Sequence, residues 1–442
     1  MEKEKNVYDT LGGNVAEEIK QYPLEKMDLL TTDNAGKKTT NRCVENVFRI
    51  LERHPIYAGR FRFDEWTQKL EIKDEKVWRE IDDTDYTPIQ REISSMYVPF
   101  RSLSKEMVID AVGDACRAHS FDRAINFIRK EAWDKKPRLD TWLSKVYGTA
   151  EDEYHKAVGS NFFKGMVKRI IKPGCKFDTV LILEGKQGCG KSTSLSIIAG
   201  DWHLETTLKA DSKDFFMQFK GKLIVEFSEG ETLSRTETKN MKAMISTNTD
   251  TYRAPYGRTM KDVPRRCVFA MSTNQDEYLK DESGNRRFFP VEVEGMVNTQ
   301  WLIENRQQLF AEALYRVEKL KESVYEYPAE AEIKQEAKMV RSAFEDTIDD
   351  WLNKPIGING IRMNFEEEGF TIMDVWLFAL YGDKSRIKKA EEMQVALALK
   401  HLGYETRQTM VNGTRKRRWF KKRASFLEKF GIAEEKVGSE VE

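Results

Sequence analysis

The stretch VLILEGKQGCGKSTSLSIIAG, residues 180–200, constrains the chain more than any other. VLILE is an apolar run of the kind that forms a strand buried on both faces. SLSIIAG reads as a helix closed by Gly200. The loop between them fits GxxxxGK[ST], in which glycines let successive backbone N–H groups point into one concavity that holds phosphate oxygens. The helix that follows faces the anion with its N-terminus. Gly185, Gln187, Gly188, Cys189, Gly190, Lys191, Ser192 and Thr193 are therefore the expected nucleotide-binding residues. Lys191 is expected to reach the β- and γ-phosphates, and Ser192 to bind Mg²⁺, so ATP and Mg²⁺ are the expected cofactors.

A phosphate loop needs a carboxylate on a neighbouring strand to hold the metal and orient water. KLIVEFSEG supplies two candidates, Glu226 and Glu229, directly after a short apolar run. Glu229 is assigned as the water-polarising base and Glu226 as the metal-side acid, although each could be a solvated carboxylate at a strand end. RRCVFAMSTN ends another strand, and Asn274 at its tip could position the attacking water or simply serve the turn. GNRRFFPVEV places Arg286 and Arg287 at a Gly-Asn turn, where one guanidinium could stabilise transition-state charge. Arg287 is slightly favoured; salt-bridged surface is the plainer reading of both.

Between these strands lies STNTDTYRAPYGRTMKDVPRR, residues 246–266, where Pro255, Gly257 and Pro264 exclude a helix. It carries Arg253, Arg258, Lys261, Arg265 and Arg266 with Tyr252 and Tyr256. Basic residues interleaved with aromatics on a hairpin suit a single nucleic-acid strand, and a structural hairpin with a solvated face suits the pattern equally. Nearer the C-terminus NGTRKRRWFKKR, residues 412–423, holds seven basic residues and no acid. Arg415, Lys416, Arg417, Arg418, Lys421 and Lys422 are its candidate DNA contacts. Such local patches matter because the whole chain has 73 basic and 73 acidic residues and so no general attraction to nucleic acid.

The 442 residues allow two or three domains. Residues 1–150 read as a small mixed, mainly helical domain and 151–325 as an alternating α/β core; 326–365 read as a charged linker. In 366–442, TIMDVWLFALYG and SRIKKAEEMQVALALKHLG read as helices, and two alternating runs flank Asn412-Gly413, a hairpin signal. Helix, helix, two-stranded wing is the order of a winged-helix module. The five cysteines, Cys43, Cys116, Cys175, Cys189 and Cys267, form no CxxC pair, which argues against a disulfide framework and a zinc site. No apolar run reaches the roughly 18 residues needed to cross a bilayer, and no signal peptide is evident, so the expectation is a cytoplasmic protein without a membrane partner.

Taken in order, GKQGCGKST, LIVEFSE, DTYRAPYGR, PRRCVFAMSTNQDEYL and GNRRFFPV resemble the virulence-associated protein E family, as do WDKKPRLDTWL and KPGCKFDTVLILEG. These are AAA+-type ATPases of phages and mobile islands, related to superfamily 3 helicases. The likeness covers about residues 45–325 and is only architectural in the tail. It implies an AAA+-like P-loop NTPase core and a homo-hexameric ring with ATP sites between subunits. It would make Asn274 the sensor, Arg286 or Arg287 the finger, and 252–266 a hairpin gripping DNA. The function it implies is an ATP-dependent replicative DNA helicase in a bacterial host cytoplasm, acting on single-stranded and duplex DNA. A primase or an origin-binding protein would be a further partner. The alternatives are an ATP-gated DNA-binding initiator that does not unwind, and a small-molecule kinase.

Overall fold

The computed structural model describes residues 22–207, 215–228, 235–253, 260–275, 285–338, 344–357, 369–383, 387–411 and 414–422. The chain divides into two units, Met1–Lys338 and Met339–Glu442.

In the first unit five parallel strands form one sheet: β1 (Val180–Glu184), β2 (His203–Thr206), β3 (Ile224–Phe227), β4 (Val268–Thr273) and β5 (Phe288–Glu292). Their spatial order is β5-β1-β4-β3-β2. Every residue of β1, β3 and β4 is buried, as parallel strands covered by helices on both faces require. Three helices contribute to that cover: α1 (Glu153–Ile171), α2 (Lys191–Ala199) and α3 (Thr299–Glu318). Phe163 of α1 meets Phe310 of α3 edge to face, with ring centroids 5.2 Å apart. Gly165 is required where α1 crosses Phe177, because a Cβ there would stand 2.2 Å from the ring.

Ahead of this core, strands Phe61–Asp64, Lys69–Asp74, Val77–Glu80 and Ser120–Phe121 form a second, four-stranded sheet. Helices Val44–Arg53, Tyr86–Met96 and Lys105–Ala118 bury Val47, Ile50, Ile93, Val108 and Val112 in a separate hydrophobic cluster with it. Past Ser120–Phe121 the chain turns from strand to helix. Asp122 accepts from the backbone N–H groups of Ala124 and Ile125, both at 3.0 Å, and this cap starts a helix at Arg123–Ile128. From there the packing changes allegiance: Ala124, Ile128, Leu139, Trp142 and Val146 lie in the core of the five-stranded sheet.

The second unit has its own core, in which Ile348, Trp351, Val375, Val395, Leu399 and Trp419 are buried together. Helices Glu345–Asn353 and Lys389–His401 pack with a hairpin whose strands Tyr404–Val411 and Thr414–Lys421 pair from Tyr404↔Lys421 to Val411↔Thr414. The helix expected over TIMDVWLFALYG begins under a Thr371 capping box, but only Ile372–Asp374 is α-helical. Val375–Ala379 widens into a π-turn, in which Leu380 N–H reaches Val375 O at 3.1 Å.

Candidate nucleotide site

The loop between β1 and α2 takes the shape its glycines permit. Gly188 and Gly190 have φ of 78° and 101°, in the left-handed region that other residues adopt only at a cost. They turn the backbone so that α2 starts at Lys191 with its free N–H groups and positive dipole end toward the loop. A cavity of about 490 Å³ opens there. It is lined by Gln187, Gly188 and Gly190 to Thr193 on one side, and by Ser272 to Gln275 at the tip of β4 on the other.

Lys191 is buried, and each of its strong hydrogen bonds ends on an oxygen of the site. Its Nζ donates to Gly185 O at 2.7 Å, Lys186 O at 2.9 Å and Asn274 Oδ1 at 2.8 Å. The Asn274 contact exists because β4 is inserted between β1 and β3, which brings its tip beside the loop. Ser192 Oγ donates to Glu226 Oε1 at 2.6 Å. Glu226 is fully buried on β3, and its other oxygen, Oε2, lies 2.9 Å from His203 Nε2 on β2. Burial pushes the Glu226 carboxyl up, but hydrogen bonds from His203, Ser192 and Ser272 outweigh it and hold the group below its ordinary value. The site therefore presents a cation, a helix N-terminus and, one residue along, a hydroxyl–carboxylate pair. That set fits a polyphosphate carrying a hard divalent cation, since oxygen donors suit Mg²⁺.

The remaining expected residues divide between positions inside and outside the cavity. Gly185 serves through its carbonyl. Cys189 is buried, 3.8 Å from Lys191 Nζ, and its carbonyl accepts from Val297 N–H at 2.9 Å, so it braces the loop. Glu229 lies outside the described residues. Arg286 and Arg287 sit in a short 3₁₀ turn, Asn285–Arg287, before β5. Arg286 is exposed, whereas Arg287 is half-buried with Nε 3.5 Å from the Asp178 carboxylate; neither is among the residues lining the cavity.

The basic segment does form a hairpin. Strands Thr249–Arg253 and Met260–Pro264 pair antiparallel, with Arg253 opposite Met260 and Tyr252 opposite Lys261. Lys261 is exposed; the tip with Tyr256 and Arg258 lies outside the described residues. Three of the segment's charged and aromatic residues are held in contacts within the fold. Arg265 is fully buried, paired with Asp250 and bonded to Met244 O. Arg266 pairs with Asp122 at 2.6 Å and lies over the Trp66 ring at 4.6 Å. Tyr252 is buried as well. In the second unit Arg415, Arg417, Lys421 and Lys422 are exposed, and Arg418 is half-buried. Lys416 stands opposite Thr409 in the hairpin.

Sequence reasoning gave no role to His203 or Ser272. His203 lies 23 residues ahead of Glu226 with no fixed spacing to any motif, and only the pairing of β2 with β3 brings them together. Ser272 had a visible signal, being polar at the end of an otherwise apolar strand.

Residues 128–345 match the family model of the virulence-associated protein E-like domain. This bears out the resemblance read from the motifs. None of the curated proteins compared with the chain matches it. Among solved structures, the apo structure of the NrS-1 C terminal region is similar with 15% identity and a TM-score of 0.45, covering 81% of this chain and 95% of that one. The A form apo structure of the same region has 14% identity and a TM-score of 0.48, covering 86% of this chain and 100% of that one. Among the described residues no helix is long and apolar enough to cross a membrane.

Proposed function

We propose that this virulence-associated protein E-like domain is the AAA+-type ATP-hydrolysing core of a ring-forming DNA helicase that serves replication of a phage or mobile element. The observation that carries the reading is the pair of contacts Lys191–Asn274, at 2.8 Å, and Ser192–Glu226, at 2.6 Å. They join the two chemically active residues of the phosphate loop to the tips of two different strands. A glycine turn built only for its shape has no need of either.

In this reading Lys191 exchanges its carbonyl partners for the β- and γ-phosphate oxygens of ATP. Ser192 and Glu226 hold Mg²⁺, which when bound neutralises charge developing on the phosphates. Asn274 orients the attacking water, and Glu229 accepts its proton, an assignment that stands on sequence alone. Arg286 is the better finger on geometry: it is exposed and can reach a neighbouring copy, while Arg287 is paired with Asp178 of its own chain. Lys261 and the hairpin tip grip the single strand, and the second unit is a winged-helix-like module for duplex.

Replacing Lys191 by Ala should abolish ATP hydrolysis and strand displacement on a forked duplex while the thermal unfolding profile stays close to the parent's. DNA-stimulated hydrolysis without strand displacement in the parent protein would instead support an ATP-gated initiator acting through the same site. Hydrolysis that persists in the Lys191→Ala protein would remove the basis of both.

A further inference from the structure

A fully buried carboxylate is tolerated only if both oxygens are satisfied. Glu226 meets that demand through different elements: Oε1 takes the Ser192 hydroxyl from α2, Oε2 takes His203 Nε2 from β2, and Ser272 on β4 is a further donor to the carboxylate. An ionised carboxylate can only accept, so Nε2 carries the proton. The histidine is itself anchored. It opens β2 opposite Ile224 in the parallel register with β3, and its side chain is 12% exposed. Its backbone carbonyl accepts from Lys222 Nζ at 3.1 Å, and the same amine holds Asp201 O at 3.2 Å, which ties the start of β2 to the turn ahead of β3.

We propose that His203 is a positioning residue for the divalent-cation site: its Nε2–H holds Oε2 of Glu226 so that Oε1 stays aimed at Ser192 and the cation. This rests on the reading of Ser192 and Glu226 as the Mg²⁺ site. A carboxylate held at one oxygen can rotate about its last bond, and each rotation spends part of its time with the wrong lone pair forward. A donor on the second oxygen removes that freedom, and loss of such outer partners weakens metal binding by about 10- to 100-fold. Because His203 is not among the residues lining the phosphate cavity, it should set affinity for the cation and leave affinity for metal-free nucleotide alone.

The test uses the full chain with Mn²⁺ as the probe, read by electron paramagnetic resonance in the presence of a non-hydrolysable ATP analogue, with nucleotide affinity measured separately in EDTA. His203→Leu should weaken Mn²⁺ binding about 10- to 100-fold with nucleotide affinity in EDTA unchanged. His203→Gln, whose amide can stand where Nε2 stands, should recover most of the loss; His203→Asn, which is shorter, should not. The Gln and Asn pair carries the test should the Leu protein not fold. Parent-like Mn²⁺ affinity in the Leu and Asn proteins overturns the proposal, as does a joint loss of metal and nucleotide affinity that Gln fails to rescue. Ser192→Ala and Glu226→Gln are the controls. If neither weakens Mn²⁺ binding, the metal-site reading itself fails and takes the proposal with it.

Discussion

The two arginines ahead of β5 differ in a way that their adjacency in sequence hides. Arg287 is within 3.5 Å of Asp178, and Arg286 is exposed. An exposed guanidinium is free to stabilise charge on a phosphoryl group held by another subunit, an effect of roughly 10³ to 10⁵ in rate in known phosphate-loop enzymes. Arg286→Ala should therefore lose most ATP turnover, whereas Arg287→Ala should chiefly lower the melting temperature. The finger acts between subunits only if mixing rescues activity. Protomers bearing Lys191→Ala and protomers bearing Arg286→Ala should each be inactive and should regain part of the turnover when combined. Rings that demonstrably mix without any recovery would place the arginine in its own subunit or outside the chemistry.

At the scale of elements, a buried ion pair ties the root of the hairpin 249–264 to the segment that leads into β4. Arg265 stands between the hairpin and β4, and its charge is met by Asp250 at the other root of the hairpin. Taking two charges out of water is costly, and removing one partner leaves the other buried and uncompensated. Asp250→Asn should therefore cost about 3–5 kcal/mol, seen as a lowered midpoint in thermal or urea unfolding. Lys261→Ala, on the exposed edge, should leave that midpoint within about 0.5 kcal/mol and reduce DNA stimulation of hydrolysis instead. A stable Asp250→Asn protein would mean that Arg265 finds another partner and that the pair is not the anchor.

For the whole molecule, the division at Lys338 makes the two units separable targets. Removing residues 339–442 should leave basal ATPase intact, because every contact of the phosphate loop described above is made within the first unit. It should also abolish duplex binding. In the parent that binding should weaken steeply with salt, since Arg415, Arg417, Lys421 and Lys422 are exposed and each phosphate they neutralise releases counterions. Undiminished duplex affinity in the shortened chain, or a flat salt dependence in the parent, would assign the basic strand to a solvated surface.

By itself, the sequence determined the parts whose geometry is local. A glycine-rich turn from a strand into a helix is a run of consecutive backbone dihedrals, so GKQGCGKS announces its shape, and an apolar run that ends in Glu226 or in Ser272 to Asn274 announces a strand with a polar tip. Hairpins were legible too, because alternation and a turn signal lie side by side in the chain. Only the tertiary structure decided which charged residues work together. Arg265, Arg266 and Lys261 look alike in a string, yet the first two are consumed by Asp250 and Asp122, which other segments bring to them. His203 reaches Glu226 only because β2 runs beside β3. Burial and pairing depend on neighbours across the sheet, and strand order, which no local pattern encodes, supplies those neighbours.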